Sequence, residues 1–398
     1  MKKLLTAILF NICAVMLIIP SYADDRVSLY GLFWVRAFEN TAFDGTDKSF
    51  IDQRLRLGTK INVADDVYVE MRADYGEGVW GQDYTGGLVT RPRNLMQNTI
   101  DIERGFVNID KEMWSLRVGQ QFVGLGVCEV LDANAVGVKL NLKLPVVTSL
   151  IYLKDSENGS LNDDGDNDDV DFYGINFSYS GDNFSADLYG ATETDGTDTD
   201  KSPLMIGLYA TGSLGRVNLS GELDFATGDT DDGATDYVGT QLYLQGDVNI
   251  TEAFSLGAEL FYAMGTDEAD EKQLTGINDW GSFTPMAWNT PPATYITAFY
   301  NWNSPFDPTG DSAGVQGAAL YGKFIVMNGL TLGGKAGYFE PEEDSNTTTD
   351  DITTFNVWVG YELATNTELS LTYLYSDYDD PQYVEEKQIL VAQLQVSF

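Results

Sequence analysis

The chain has 398 residues, with 23 Lys and Arg against 61 Asp and Glu and no histidine, for a formal net charge of −38. Such acidity repels a phosphate backbone, so nucleic-acid binding is excluded as a main purpose. With no imidazole and two cysteines, neither histidine bases nor the usual zinc shells can be built, and the enzyme classes that need them fall away.

At the start, Lys2 and Lys3 precede an apolar run from Leu4 to Pro20 and the small-x-small site Ser21-Tyr22-Ala23. Residues 1–23 are read as a secretory signal peptide, the run being somewhat short for a spanning helix. Its removal takes two lysines and leaves 21 basic residues against 61 acidic ones, a formal charge of −40. Cys13 lies inside the signal, so Cys128 is left alone in an oxidising compartment, read as a small buried hydrophobe rather than a reactive thiol.

Period-two alternation of apolar and polar residues then predicts eighteen strands. They span 26–38, 50–63, 67–76, 99–110, 114–122, 135–143, 146–154, 171–180, 184–194, 204–212, 216–227, 237–250, 254–264, 315–326, 330–339, 352–363, 367–377 and 387–398. Segments 99–110 and 135–143 alternate least cleanly, which leaves sixteen strands as the alternative. Most approach the roughly 9 to 11 residues that a tilted membrane strand needs. Every second connector is very short, among them Ala64-Asp65-Asp66, Leu144-Pro145, Asn328-Gly329 and Ala364-Thr365-Asn366, while those between are long and acidic. That parity predicts an all-β fold: a transmembrane antiparallel up-and-down barrel with short periplasmic turns and long outer loops, in one domain over 24–398. A soluble β-sandwich has little reason to keep it. Proline, which cannot donate to a ladder, falls outside every predicted strand.

The faces follow from the cleanest strands. Val67, Val69, Met71, Ala73 and Tyr75 belong to lipid, and Tyr68, Glu70, Arg72 and Asp74 to an aqueous lumen. Aromatics near strand ends suit interfacial girdles: Trp114, Tyr179, Phe184, Phe254 and Tyr361 on the turn side, Tyr75, Tyr262, Tyr338 and Tyr375 on the loop side. Of the 21 basic residues, 15 precede residue 155. One lumenal wall is therefore expected to carry Arg54, Arg56, Arg72, Arg104, Arg117, Lys139 and Lys143, interspersed with Glu70 and Asp74. Asp187, Glu222, Asp224, Asp247 and Glu259 project from later strands, giving a field across the pore; the plainer reading is that lumenal charges simply stay hydrated.

Two outer loops stand apart. Residues 162–171 hold Asp164, Asp166 and Asp168 at the spacing of calcium ligands, but without the glycine and terminal glutamate of an EF-hand. No cofactor or dedicated metal is expected, only Ca2+ or Mg2+ held loosely by acidic loops and bridging to lipopolysaccharide. Residues 265–313 include an uncharged stretch, Trp280 to Phe306, with Trp280, Trp288 and Trp302. So large an aromatic surface is a liability when exposed, and it is expected over the mouth, in the lumen or against a neighbouring subunit. A packed plug or latch is the main reading, with a platform for a sugar-like solute or a phage or protein docking site beside it; Tyr30, Trp34, Tyr68 and Tyr189 would extend a sugar track along the lumen. The last strand ends on Phe398, with Leu390, Ala392, Leu394 and Val396 on its apolar face and Gln393, Gln395 and Ser397 on its polar one.

Val27-Ser28-Leu29-Tyr30-Gly31 and Arg117-Val118-Gly119-Gln120-Gln121 resemble the opening strand and the segment before the third loop of Gram-negative outer-membrane porins. Gln53-Arg54-Leu55-Arg56, followed by the turn Ala64-Asp65-Asp66, is similar to the homotrimeric porins of sulfate-reducing bacteria. The resemblance implies an integral outer-membrane protein in contact with lipid and lipopolysaccharide, a homotrimer, and recognition of Phe398 by the barrel-assembly machinery. It also implies a third loop folded inward, here residues 122–134 with Glu129 and Asp132. The expected function is a water-filled channel for passive diffusion of small polar solutes and ions, weakly cation-preferring. The alternatives are a sugar- or carboxylate-selective channel, or an acidic barrel that anchors surface molecules.

Overall fold

The computed structural model describes residues 26–41, 47–79, 100–127, 130–156, 169–195, 203–229, 236–266, 271–274, 314–343, 351–378 and 386–398. Within them lie strands β1 (Val27–Thr41), β2 (Asp47–Ala64), β3 (Val67–Val79), β4 (Ile100–Asp110), β5 (Trp114–Leu125), β6 (Leu131–Leu142) and β7 (Val147–Ser156). Next come β8 (Val170–Ser180), β9 (Phe184–Asp195), β10 (Leu204–Leu214), β11 (Val217–Asp229), β12 (Asp236–Asn249) and β13 (Phe254–Ala263). The chain finishes with β14 (Glu271–Gln273), β15 (Val315–Met327), β16 (Leu330–Glu340), β17 (Ile352–Ala364), β18 (Thr367–Tyr378) and β19 (Glu386–Ser397).

Eighteen of these strands form a closed antiparallel barrel. Each pairs with its neighbour in sequence, and β1 pairs with β19, so no edge strand is left over. The short β14 is an addition that the sequence reading lacked: it runs parallel to β12 along Asp236 to Val238, where β13 has already left the ladder. Predicted strands end early wherever the outer end is polar, because a ladder of backbone hydrogen bonds continues past the apolar band. Two-residue connections such as Asn328-Gly329 turn back tightly by placing Gly329 at φ 80° and, at the next such turn, Asn366 at φ 60°.

One face of each strand is apolar and exposed, as lipid requires. Leu208, Leu219, Leu223, Leu244, Leu260, Leu332, Leu369 and Leu394 all stand on it. The nine aromatics expected in girdles share this outward parity. The other face forms the lumen. Its aromatics lie over glycines of the next strand, Tyr30 on Gly58, Tyr321 on Gly257 and Trp358 on Gly333, at sites where any Cβ would enter the ring. The lumen is not uniformly polar: Phe38, Phe50, Leu374, Ile389 and Val391 pack there, with Phe38 and Phe50 stacked at 4.7 Å.

Candidate functional site: the lumen and its constriction

Residues 122–134 are not a loop. The β5–β6 ladder runs without a break from Trp114↔Leu142 to Leu125↔Leu131, so the connection is only 126–130. The reason is the alternation of Val123 and Leu125 with Leu131, Ala133 and Ala135 on one buried face, which keeps both arms extended, while Gly126 at φ +75° makes the bend. What leaves the wall is the hairpin as a whole. β4 holds β5 only as far as Gln120, and β7 holds β6 only from Val136, so 121–135 form a two-stranded ribbon bonded to neither neighbour.

The ribbon folds inward. Its buried face packs against lumenal Ile151, Leu153, Phe172, Tyr189, Ala191 and Met205 on β7 to β10. At its tip the Val127 amide donates to Glu222 Oε2 on β11 at 2.6 Å. Asp132, expected to line the pore from a loop, lies on a strand, paired with Gly124 on the ribbon face opposite the packed one. Phe122 shares that free face, and its ring centre lies 5.9 Å from the guanidinium of Arg104 on the adjacent strand β4.

Strands β2, β3 and β4 bring six of the predicted charges together, Arg54, Arg56, Glu70, Arg72, Asp74 and Arg104. Arg54 donates through Nε to Asp74 Oδ2 at 2.8 Å, and Arg56 through Nε to Asp74 Oδ1 at 2.8 Å. Asp74 is thereby buried beneath two arginines, with 2% of its side chain exposed, and is not a free pore charge. Arg54 and Arg56 also reach Glu103, and Arg72 approaches its other oxygen at 2.6 Å. Glu103, absent from the sequence expectation, thus joins three arginines. Glu70 accepts the Tyr30 hydroxyl at 2.7 Å and lies 3.8 Å from Arg104. Arg117 stacks over Phe106 at 4.4 Å and is paired in register with Lys139 on the lumenal face. Lys143 does not join them, since it lies past the end of β6, beside Asp110 at 2.5 Å in the turn.

The acidic residues separate into three environments. Asp187 accepts hydrogen bonds from Ser178 and Asn176 on the neighbouring strand. Glu222 and Asp224 are 2% and 0% exposed, covered by the ribbon tip and touched by the Tyr189 hydroxyl at 2.6 and 2.8 Å. Glu259 is buried as well, 2.6 Å from Lys335 on β16, a partner the sequence reading did not supply. A second such pair, Arg36 with Asp52 at 2.6 Å and 3.0 Å, was also missed. Among the described residues no group of acids or cysteines is arranged to hold a metal ion. Cys128, Glu129, Asp164, Asp166, Asp168 and the aromatic stretch of 265–313 lie outside the described residues.

No sequence-family model matches the chain, and no curated protein matches it. Solved structures do. A BenF-like porin from Pseudomonas fluorescens Pf-5 aligns with a TM-score of 0.61 at 14% identity, over 94% of this chain and 99% of that one. Acinetobacter baumannii OccAB1 aligns with a TM-score of 0.61 at 15% identity, over 95% and 97%. Pseudomonas aeruginosa OpdK, solved with vanillate, aligns with a TM-score of 0.58 at 10% identity, over 93% and 99%. At these identities the likeness speaks for architecture: the chain has the closed 18-strand barrel fold of outer-membrane porin structures.

Proposed function

We propose that the chain is an integral outer-membrane porin, a water-filled channel through which small polar solutes and ions diffuse passively. The observation that carries this is a closed barrel, apolar outside and charged inside, narrowed by the 121–135 ribbon that packs against the lumenal face of β7 to β10. The reading involves no catalysis: conduction requires only a hydrated path. Purified protein in a planar bilayer is expected to give stepwise ohmic conductance; a silent barrel overturns the proposal.

One observation favours a solute-selective variant. Arg117 and Lys139 are paired lumenal cations beside Phe106, with Arg104 further along β4 on the same face, which suits a small carboxylate, and one fold neighbour was solved with the aromatic acid vanillate. Saturable block of ion current by a carboxylate separates this variant from unselective diffusion. The closer resemblance to the porins of sulfate-reducing bacteria belongs to the proposal too, and with it a homotrimer and recognition of Phe398 by the assembly machinery. Mass measurement of the detergent-extracted protein tests the trimer, and a single-barrel mass overturns it.

A further inference from the structure

We infer that Glu222, Tyr189 and Asp224 form a proton-sharing relay that positions the constriction ribbon, with Asp224 carrying the shared proton. The inference rests on the channel reading above. Glu222 Oε2 accepts the Val127 amide at 2.6 Å, while Oε1 lies 2.6 Å from the Tyr189 hydroxyl. The same hydroxyl is 2.8 Å from Asp224 Oδ1. A phenol has one proton, so it satisfies one carboxylate; the second contact needs a proton on the other acid. Glu222 already accepts the backbone N–H, which marks it as the anion. Asp224 is left to donate from Oδ1 to the phenol oxygen. Its Oδ2 is buried with no hydrogen-bond partner, a position far costlier for a carboxylate than for a neutral acid.

The surroundings agree. Space for the relay comes from Gly126 and Gly207: a Cβ on Gly126 would run into Glu222 Oε1, and one on Gly207 into Asp224 Oδ1. Nearest in register on the lumenal faces of the packed strands are Asp187 on β9, Tyr209 on β10 and Tyr243 on β12; Glu193 and Asp195 lie further along β9, Tyr237 and Asp247 further along β12, Glu271 and Lys272 on β14, and Asp132 on the far face of the ribbon. Strands β9 to β12 and the described part of the ribbon hold no Lys or Arg to offset a second negative charge, and the basic residues Arg117 and Lys139 lie on β5 and β6 where those strands are still in the wall. Loss of the shared proton at alkaline pH leaves two anions facing one phenol, and the resulting repulsion frees the tip from β11.

Two independent readouts test this. Infrared spectra of the folded barrel at neutral pH should contain a protonated carboxylic acid band that disappears on alkaline titration and is missing in Asp224→Asn. Absence of that band in the wild type, or its persistence in Asp224→Asn, overturns the relay. In planar bilayers the wild type should pass at alkaline pH to higher unitary conductance with more open-channel noise, a transition that Asp224→Asn loses because its amide donates at every pH. Retention of the transition in that variant also overturns the inference. A barrel that conducts nothing at any pH refutes the channel reading instead, and the infrared result still decides the relay.

Discussion

Glu103 and Arg104 are neighbours in sequence, and both send their side chains into the lumen, where Glu103 lies 2.6 Å from Arg72 and Arg104 lies 3.8 Å from Glu70. Alternation forbids this in a regular strand. The β3–β4 register shows how it happens: Arg72 is opposite Arg104 and Ala73 is opposite Ile102, so Glu103 is the extra residue of a β-bulge. The bulge delivers one acid to three arginines.

Glu103→Gln is therefore expected to leave Arg54 and Arg56 on Asp74 and to remove the carboxylate that stands beside Arg72. Breaking so enclosed a network costs on the order of 3 kcal/mol of stability, discounted for the partial exposure of its members. The measurement is a urea titration followed by heat-modifiable gel mobility. Reversal potentials in a salt gradient should move toward anion preference at the same time.

Lys335 and Glu259 are a pair on opposite sides of β15, with 6% and 4% of their side chains exposed. Lys335→Met strands a buried carboxylate and is expected to destabilise the barrel by about 3 to 5 kcal/mol. Adding Glu259→Leu should restore most of that loss, because the pair's desolvation disappears with both charges. A double-mutant cycle on the folded fraction checks it, and additive losses contradict a direct pair.

Leu223 and Ser220 occupy opposite faces of β11, Leu223 outward and Ser220 toward the lumen. Leu223→Arg is expected to cost about 2 to 4 kcal/mol near the bilayer midplane. Ser220→Arg should leave stability nearly unchanged and alter conductance instead. Folding titrations into lipid vesicles compare the two, and equal losses contradict the assignment of faces.

Arg117 stands on the lumenal face beside Lys139. Arg117→Glu should shift the reversal potential toward cations, and the shift should shrink as salt rises, since the Debye length falls from about 10 Å at 0.1 M to about 3 Å at 1 M. A shift that ignores salt contradicts a solvated pore charge.

Much of the barrel was legible because period two and turn chemistry are local signals. Ala64-Asp65-Asp66 and Asn328-Gly329 announce their turns within a few residues, and Phe398, Val396 and Leu394 display the lipid face without reference to any other strand. The lumen was harder. In β4 the apolar residues sit at Ile100 and Ile102 and then at Val107 and Ile109, a change of phase that marks the bulge and would have exposed Glu103. Lys335 with Glu259 and Arg36 with Asp52 were unreadable, since strand pairing had to be known before partners separated by 76 or 16 positions could be matched. The ribbon was mistaken for a loop because glycines at 124 and 126 imitate one, while the apolar face that keeps it extended is buried against β7 to β10.

Gly31 and Phe398 exchange backbone hydrogen bonds of 2.6 and 3.0 Å, and the β1–β19 ladder continues from Leu32↔Ser397 to Asn40↔Ile389. Arg26 lies at the same rim, its carbonyl accepting the Asn62 amide at 2.7 Å. With Arg26 and Phe398 both on the side of the short turns, a few added residues can join them covalently in a chain begun at Arg26, and the backbone can be reopened at Asn328-Gly329 instead. In such a circular permutant today's seam becomes an ordinary hairpin and β15 and β16 become the closing pair. Which strand counts as first is thus a property of where the ring is cut, and not of the ring.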